Sequence, residues 1–182
     1  MASIRRWDSI NHMVLMKDIH EGQGLCIPLN DGTFALGIIA RENPNKAILG
    51  YFLPRRFAQK PTSVTADFRL DLYWIHIFGI PRTGKKDWET IPLAGVWDRD
   101  RWPVPPFSAY SEEDDMASLF YYNDTDLLTP VRTERCSPEV AKRYFQHSVA
   151  NAAFIEDWLN MYLPPLDDPS GEIPLCILKR HV

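Results

Sequence analysis

The sequence predicts an α+β fold: a curled antiparallel sheet or small SH3-like barrel of about five to six strands, with a C-terminal helix packed on it. Three observations predict it. Strand-like apolar runs follow one another from Leu25 to Leu93, and apolar residues recur at helical spacing only after Ser137. In addition, 15 Pro and 9 Gly in 182 residues punctuate the chain too often for a mostly helical bundle. A hydrophobic fraction of 45% beside a charged fraction of 24% is the makeup of one folded domain. The expected layout of that single domain, 1–182, is an N-terminal segment 1–20, a β-rich part 21–135, a helix 136–163 and a tail 164–182.

The β-rich part opens with Leu25-Cys26-Ile27-Pro28-Leu29, Asn30-Asp31-Gly32 and Thr33 to Ala40. Asp-Gly between two apolar runs signals a hairpin with a tight primed turn, because Asn, Asp and Gly tolerate positive φ. Pro28 lacks an N–H and therefore belongs at an edge or a strand end. Glu42 to Asn45 is the next turn, followed by a strand from Ala47 to Leu53. Leu70 to Phe78 is apolar nearly throughout, which suits a central strand covered on both faces, and Gly84 turns the chain toward a strand from Trp88 to Leu93. Ser137-Pro138-Glu139 is a helix start, with Ser137 as N-cap and Pro138 in the first helical position. Val140, Tyr144, Phe145, Val149, Ala152, Ile155, Leu159 and Tyr162 then carry the helix to Leu163, and Ile173 to Leu178 suggests a short final strand.

Several chemistries are disfavoured. Gly79 to Lys86 has the spacing of a phosphate-binding loop, but Lys86 stands where Ser or Thr must hold Mg²⁺, and Trp88 to Leu93 reads as a strand rather than the required helix. A hairpin turn is the expected role. His12, His20, His76, His147 and His181 show no metal-ligand spacing; His76 reads as a core residue and His147 as a solvated helix position. Cys26, Cys136 and Cys176 are odd in number and widely spaced, as expected of reduced thiols. There is no Gly-x-Ser-x-Gly elbow, and four adjacent carboxylates at 112–115 lack the apolar surroundings that tune a catalytic acid. No catalytic residue, metal or cofactor is expected. The N-terminus lacks an uninterrupted apolar run and no stretch is long and apolar enough to span a bilayer, so the expected location is cytoplasmic.

Charge and aromatics supply the positive signals. The net charge of −4 divides unevenly: residues 1–110 hold 14 Lys+Arg against 11 Asp+Glu (net +3), and residues 111–182 hold 6 against 13 (net −7). Glu112, Glu113, Asp114, Asp115, Asp124 and Asp126 form a stretch with no base, which repels nucleic acid and steers a basic protein partner; it equally suits a solubilising loop. Trp97 and Trp102 lie in a charged, Pro-rich segment leading to Phe107, where they read either as exposed interface anchors or as a cap on the core.

Glu21-Gly22-Gln23-Gly24-Leu25-Cys26-Ile27-Pro28-Leu29-Asn30-Asp31-Gly32-Thr33-Phe34-Ala35-Leu36-Gly37-Ile38-Ile39 resembles the opening of the immunity protein 26 family of bacterial polymorphic toxin systems. Leu49-Gly50-Tyr51-Phe52, Trp74-Ile75, Trp88 to Leu93, and Trp102-Pro103 with Phe107 are similar as well, so the resemblance covers about residues 20–130. Gln23 stands where the family has Asp, Gly24 where it has an apolar residue, and the acidic insert 111–126 has no counterpart. The resemblance implies a protein that binds a cognate toxin domain and blocks it by occlusion, without catalysis. On this reading Glu112, Glu113, Asp114, Asp115, Asp124, Asp126, Trp97 and Trp102 contact the partner. The sequence leaves the oligomeric state open. Two alternatives remain: a small barrel module binding RNA or peptide, with Arg55, Arg56, Lys60 and Arg69 on phosphate, and an enzyme of unrecognised type.

Overall fold

The computed structural model describes residues 19–43, 47–65, 73–79, 88–111, 116–147 and 149–167. The strands are β1 (Gly24–Pro28), β2 (Phe34–Glu42), β3 (Ala47–Phe52), β4 (Val64–Thr65), β5 (Trp74–Gly79), β6 (Glu89–Ile91), β7 (Leu93–Ala94), β8 (Phe107–Ser111), β9 (Met116–Tyr121), β10 (Arg132–Cys136), β11 (Phe145–Gln146) and β12 (Val149–Ala150). The helices are α1 (Pro138–Ala141) and α2 (Ala152–Tyr162). Six strands form one sheet in the order β12-β5-β3-β2-β1-β6, four form a second in the order β10-β9-β8-β11, and β4 pairs with β7. The class is α+β, mostly antiparallel, and among the described residues the strands do not close into a barrel.

The expected hairpin forms between β1 and β2, with a wider turn than a primed one. The loop is three residues long, closed by the Leu29 N–H donating to the Thr33 carbonyl (2.8 Å), with Gly32 at φ +82°. Asp31 holds it by accepting from the Thr33 N–H (3.0 Å) and hydroxyl (2.6 Å). Pro28 ends β1 beyond the reach of β6, which pairs only with Gly24 to Cys26, so its missing N–H disrupts no ladder.

Strand β3 is buried along its whole length, and β2 and β5 nearly so, so both faces of the six-stranded sheet are covered. On one face Phe52 packs with Trp74 and Phe78 (ring centroids 5.2 and 5.8 Å), Trp88 reaches Phe78 (5.8 Å), and Trp158 of α2 stacks flat on Trp74 (3.7 Å, 7°). On the other, Tyr51, Tyr73 and Trp102 meet edge to face at 5.1 to 6.0 Å, and the Tyr51 hydroxyl donates to the Pro103 carbonyl.

Three expectations are corrected here. The helix expected over 136–163 is two helices with β11 and β12 between them. Ser137 caps α1 as expected, accepting from the Val140 N–H, but the helix ends after four residues. The reason is tertiary: β11 runs parallel to β8 and β12 parallel to β5, so the stretch 145–150 satisfies its backbone on both sheets and buries Phe145 and Ala150. Asn151 then caps α2 by accepting from the Phe154 N–H (2.8 Å).

Residues 80–87, where a hairpin turn was expected, lie outside the described residues; β5 and β6, which flank them, are not neighbours in the sheet and so do not form a hairpin. Phe107–Ser111 and Met116–Tyr121, for which no strand was expected, pair antiparallel as β8 and β9 in a second sheet. The final strand expected at 173–178 lies outside the described residues. Among them, no helix is long and apolar enough to cross a membrane.

Because Trp102 fills the core on one face of the main sheet, Trp102→Ala is expected to cost about 3–5 kcal/mol of unfolding free energy. Urea denaturation of both proteins measures it, and a loss under about 1 kcal/mol would contradict the assigned burial.

Candidate functional site

Of the residues expected to meet a partner, Asp124, Asp126, Trp97 and Trp102 are described, and each has its own place in the fold. Glu112, Glu113, Asp114 and Asp115 connect β8 to β9 and lie outside the described residues. Asp124 and Asp126 follow the opposite end of β9, a strand whose six residues span about 17 Å, so the acidic stretch divides between the two ends of a hairpin.

Asp124 is taken up by an ion network. A register shift in β2 between Ile39 and Arg41 inserts Ala40, which sets Arg41 opposite Leu49, on the side of the sheet that carries Tyr51. Only 3% of the Arg41 side chain is exposed, so its charge must be paired in place. Its Nε donates to Asp124 Oδ1 (3.0 Å) and its Nη1 to the Ala40 carbonyl (2.6 Å). Arg99, from the 3-10 turn Arg99–Arg101, pairs with Glu21 (2.8 Å) and with Asp124 (3.4 Å). Asp124 thus bridges the second sheet to the first.

Asp126 holds its own loop and also accepts from the side-chain amide of Asn43, which follows β2 (3.5 Å). Its Oδ1 accepts from the N–H groups of Leu128 (2.8 Å) and Thr129 (3.1 Å). The Leu128 bond first, then the Thr129 hydroxyl and N–H, hold its carboxyl below the usual range.

Trp102 is 0% exposed, so the reading of it as an exposed anchor is corrected: its place is the core, between Tyr51 and Tyr73. Trp97 is half-buried, stacked on Trp102 (5.9 Å) and lying across Gly22. Neighbouring Gly24, where the resembled family carries an apolar residue, has no room for a side chain. A Cβ there would stand 2.4 Å from Val64 Cγ1 and 2.8 Å from Ile91 Cγ1.

The cations of the nucleic-acid alternative are largely engaged. Arg56 pairs with Asp31 (2.8 Å) and donates to the Asn160 (2.7 Å) and Leu163 (3.1 Å) carbonyls, capping the C-terminus of α2. Lys60 bridges to Glu89, Arg55 lies over Phe57 (4.9 Å), and Arg69 is outside the described residues. Nothing in the sequence pattern marked Arg56 as a helix cap, because its partners lie more than 100 residues away.

The two described core histidines behave differently from a metal pair. His76 is buried between Trp74 and Phe154, and burial, then the His147 charge, lowers its pKa to about 4. His147, expected on a solvated helix, follows β11 instead and stacks flat against Tyr122 (5.8 Å, 6°), with burial lowering its pKa. Among the described residues no group of His, Cys, Asp or Glu is arranged to hold a metal ion.

What sequence reasoning missed is the exposed apolar side of α2. Ile155 and Leu159 are buried, while Phe154, Met161 and Tyr162 remain exposed on the same helix. The available signal was spacing, since 154, 158, 161 and 162 follow the i, i+4, i+7, i+8 pattern of one helical stripe.

No family model matches this chain, and no curated protein and no solved structure matches it either.

Two outcomes are expected from this geometry. Asp124→Asn, which removes the charge partner of buried Arg41, is expected to cost about 2 kcal/mol in urea denaturation. Because the folded pKa of His76 lies below its ordinary 6.5, the unfolded chain takes up a proton that the folded chain refuses. Stability therefore falls as pH drops from about 6.5 toward 4, by about 3 kcal/mol in full, and His76→Phe is expected to flatten that fall. Unfolding curves at pH 7 and pH 4.5 for both proteins check it; an equal slope in the variant would assign the acid sensitivity elsewhere.

Proposed function

We propose that this chain is an immunity protein that binds a cognate bacterial toxin domain and neutralises it by occlusion, acting in the cytoplasm without catalysis of its own. The observation that carries the reading is the coincidence of acidic charge and uncovered apolar surface. Of the large hydrophobic side chains that stay exposed among the described residues, Phe154, Met161 and Tyr162 lie on α2, whose charged residues are the acids Glu156 and Asp157. Exposed apolar groups within an acidic field fit a basic protein surface, with apolar contacts giving residence and charge giving encounter rate. The resemblance of residues 20–130 to immunity protein 26 supports the same reading. With Arg56 and Lys60 engaged, RNA binding has less to stand on.

Protection is the direct test. Co-expression with the toxin encoded by the neighbouring gene is expected to restore growth, and the two proteins are expected to co-purify. Absence of both results would contradict the proposal. Charge reversal of Glu112, Glu113, Asp114 and Asp115 is expected to slow association roughly tenfold at low salt and to flatten its salt dependence, as stopped-flow mixing would record. Reversal at Asp126, whose carboxylate serves its own loop, is expected to change the association rate far less.

A further inference from the structure

We infer that the exposed side chains of α2, Phe154, Met161 and Tyr162 beside half-buried Trp158, are the docking surface for a protein partner whose contact face carries Arg or Lys around an apolar side chain. The inference rests on the proposed toxin-binding function and assigns it a surface.

Geometry comes first. Phe154 is 50% exposed and Met161 70%, although both belong to a helix that buries Ile155 and Leu159. Ile155, Leu159 and the Trp158–Trp74 stack seat the helix on its sheet, and Phe154, Met161 and Tyr162 widen the same apolar arc into solvent. The stripe is rigid as well as apolar. Trp158 is fixed by its flat stack on Trp74, Tyr162 packs on Trp158 (4.9 Å), and Phe154 rests against His76 (5.9 Å). Arg56 pins the C-terminal end of the helix through the Asn160 and Leu163 carbonyls. Aromatic side chains already held in place lose little conformational freedom when a partner covers them, which is the property that concentrates binding energy in such residues.

Charge selects the occupant. Among the described residues from Tyr144 to Asp167 there is no Lys or Arg and there are three acids, Glu156, Asp157 and Asp167. Arg56, the cation that caps the C-terminus of α2, is paired with Asp31 and has a side chain only 9% exposed. A nucleic acid or an anionic lipid surface would be repelled by this rim. A second copy docked about a two-fold axis would place the acids of one α2 against those of the other. A basic protein face meets neither penalty, and its guanidinium or ammonium groups gain further from lying over exposed aromatic rings.

The probe is the toxin domain encoded by the neighbouring gene, catalytically inactivated and purified, titrated against the full chain. Phe154→Ser/Met161→Ser is expected to raise Kd by about 30-fold or more, mostly through faster dissociation. Asp157→Lys, which alters no ring packing, is expected to slow association about tenfold at low salt. Near-UV circular dichroism of the Trp74–Trp158 stack verifies that each variant is folded. Unchanged affinity and association rate in both variants would overturn the α2 assignment while leaving toxin binding intact. Failure of the wild-type chain to bind or protect would overturn the functional reading and this inference with it. A wild-type dimer that the double variant abolishes would make the stripe a self-association surface and overturn the inference in that way.

Discussion

A central sheet with two apolar faces sets the terms for everything else in this protein. Strand β3 is buried at every position, and its neighbours β2 and β5 nearly so, so each face needs its own cover. One cover is the Trp97–Phe107 segment, which drives Trp102 between Tyr51 and Tyr73. The other is α2 with Trp88, seated on Trp74 and Phe78. Neither cover is local in sequence, so each must be tied down from a distance: the first through Arg99, Asp124 and Arg41, the second through Arg56 and the β1–β2 loop. The stretch 145–150, paired to β8 at one end and β5 at the other, joins the two sheets and delivers the chain to α2.

Those ties explain why acidic residues that are adjacent in sequence have different roles. Asp124 neutralises a guanidinium that the bulge in β2 has turned into the interior, and losing it would leave that charge uncompensated. Asp126 serves its loop. In the proposed function the charge that meets the partner therefore lies elsewhere, and on α2 the acids Glu156 and Asp157 share the helix with exposed Phe154 and Tyr162.

The β1–β2 hairpin, the strands at Ala47 and Trp74, and the caps at Ser137 and Pro138 were legible because each rests on local chemistry: turn residues, alternation, an oxygen placed for an orphan N–H. The split of the C-terminal helix was not legible, because Phe145 and Ala150 fit a helical period and a pair of parallel bridges equally well, and the partners that decide lie near Phe107 and Ile77. Trp102 could not be placed for the same reason: its Pro-rich, charged surroundings mark a loop, while its burial follows from Tyr51 and Tyr73 meeting it from strands far away in sequence. The acidic stretch was visible as composition, but its division required the register of β8 and β9.

In the function proposed above, the double-sheet body meets a basic toxin domain with the side that carries α2. Hydrogen–deuterium exchange of the full chain, alone and in complex with the inactivated toxin domain of the neighbouring gene, tests this most directly. Amides of α2, residues 152–162, are expected to gain the strongest protection, with β1–β3 unchanged because they are already buried. A complex that leaves α2 exchange unaltered and protects another face would contradict it.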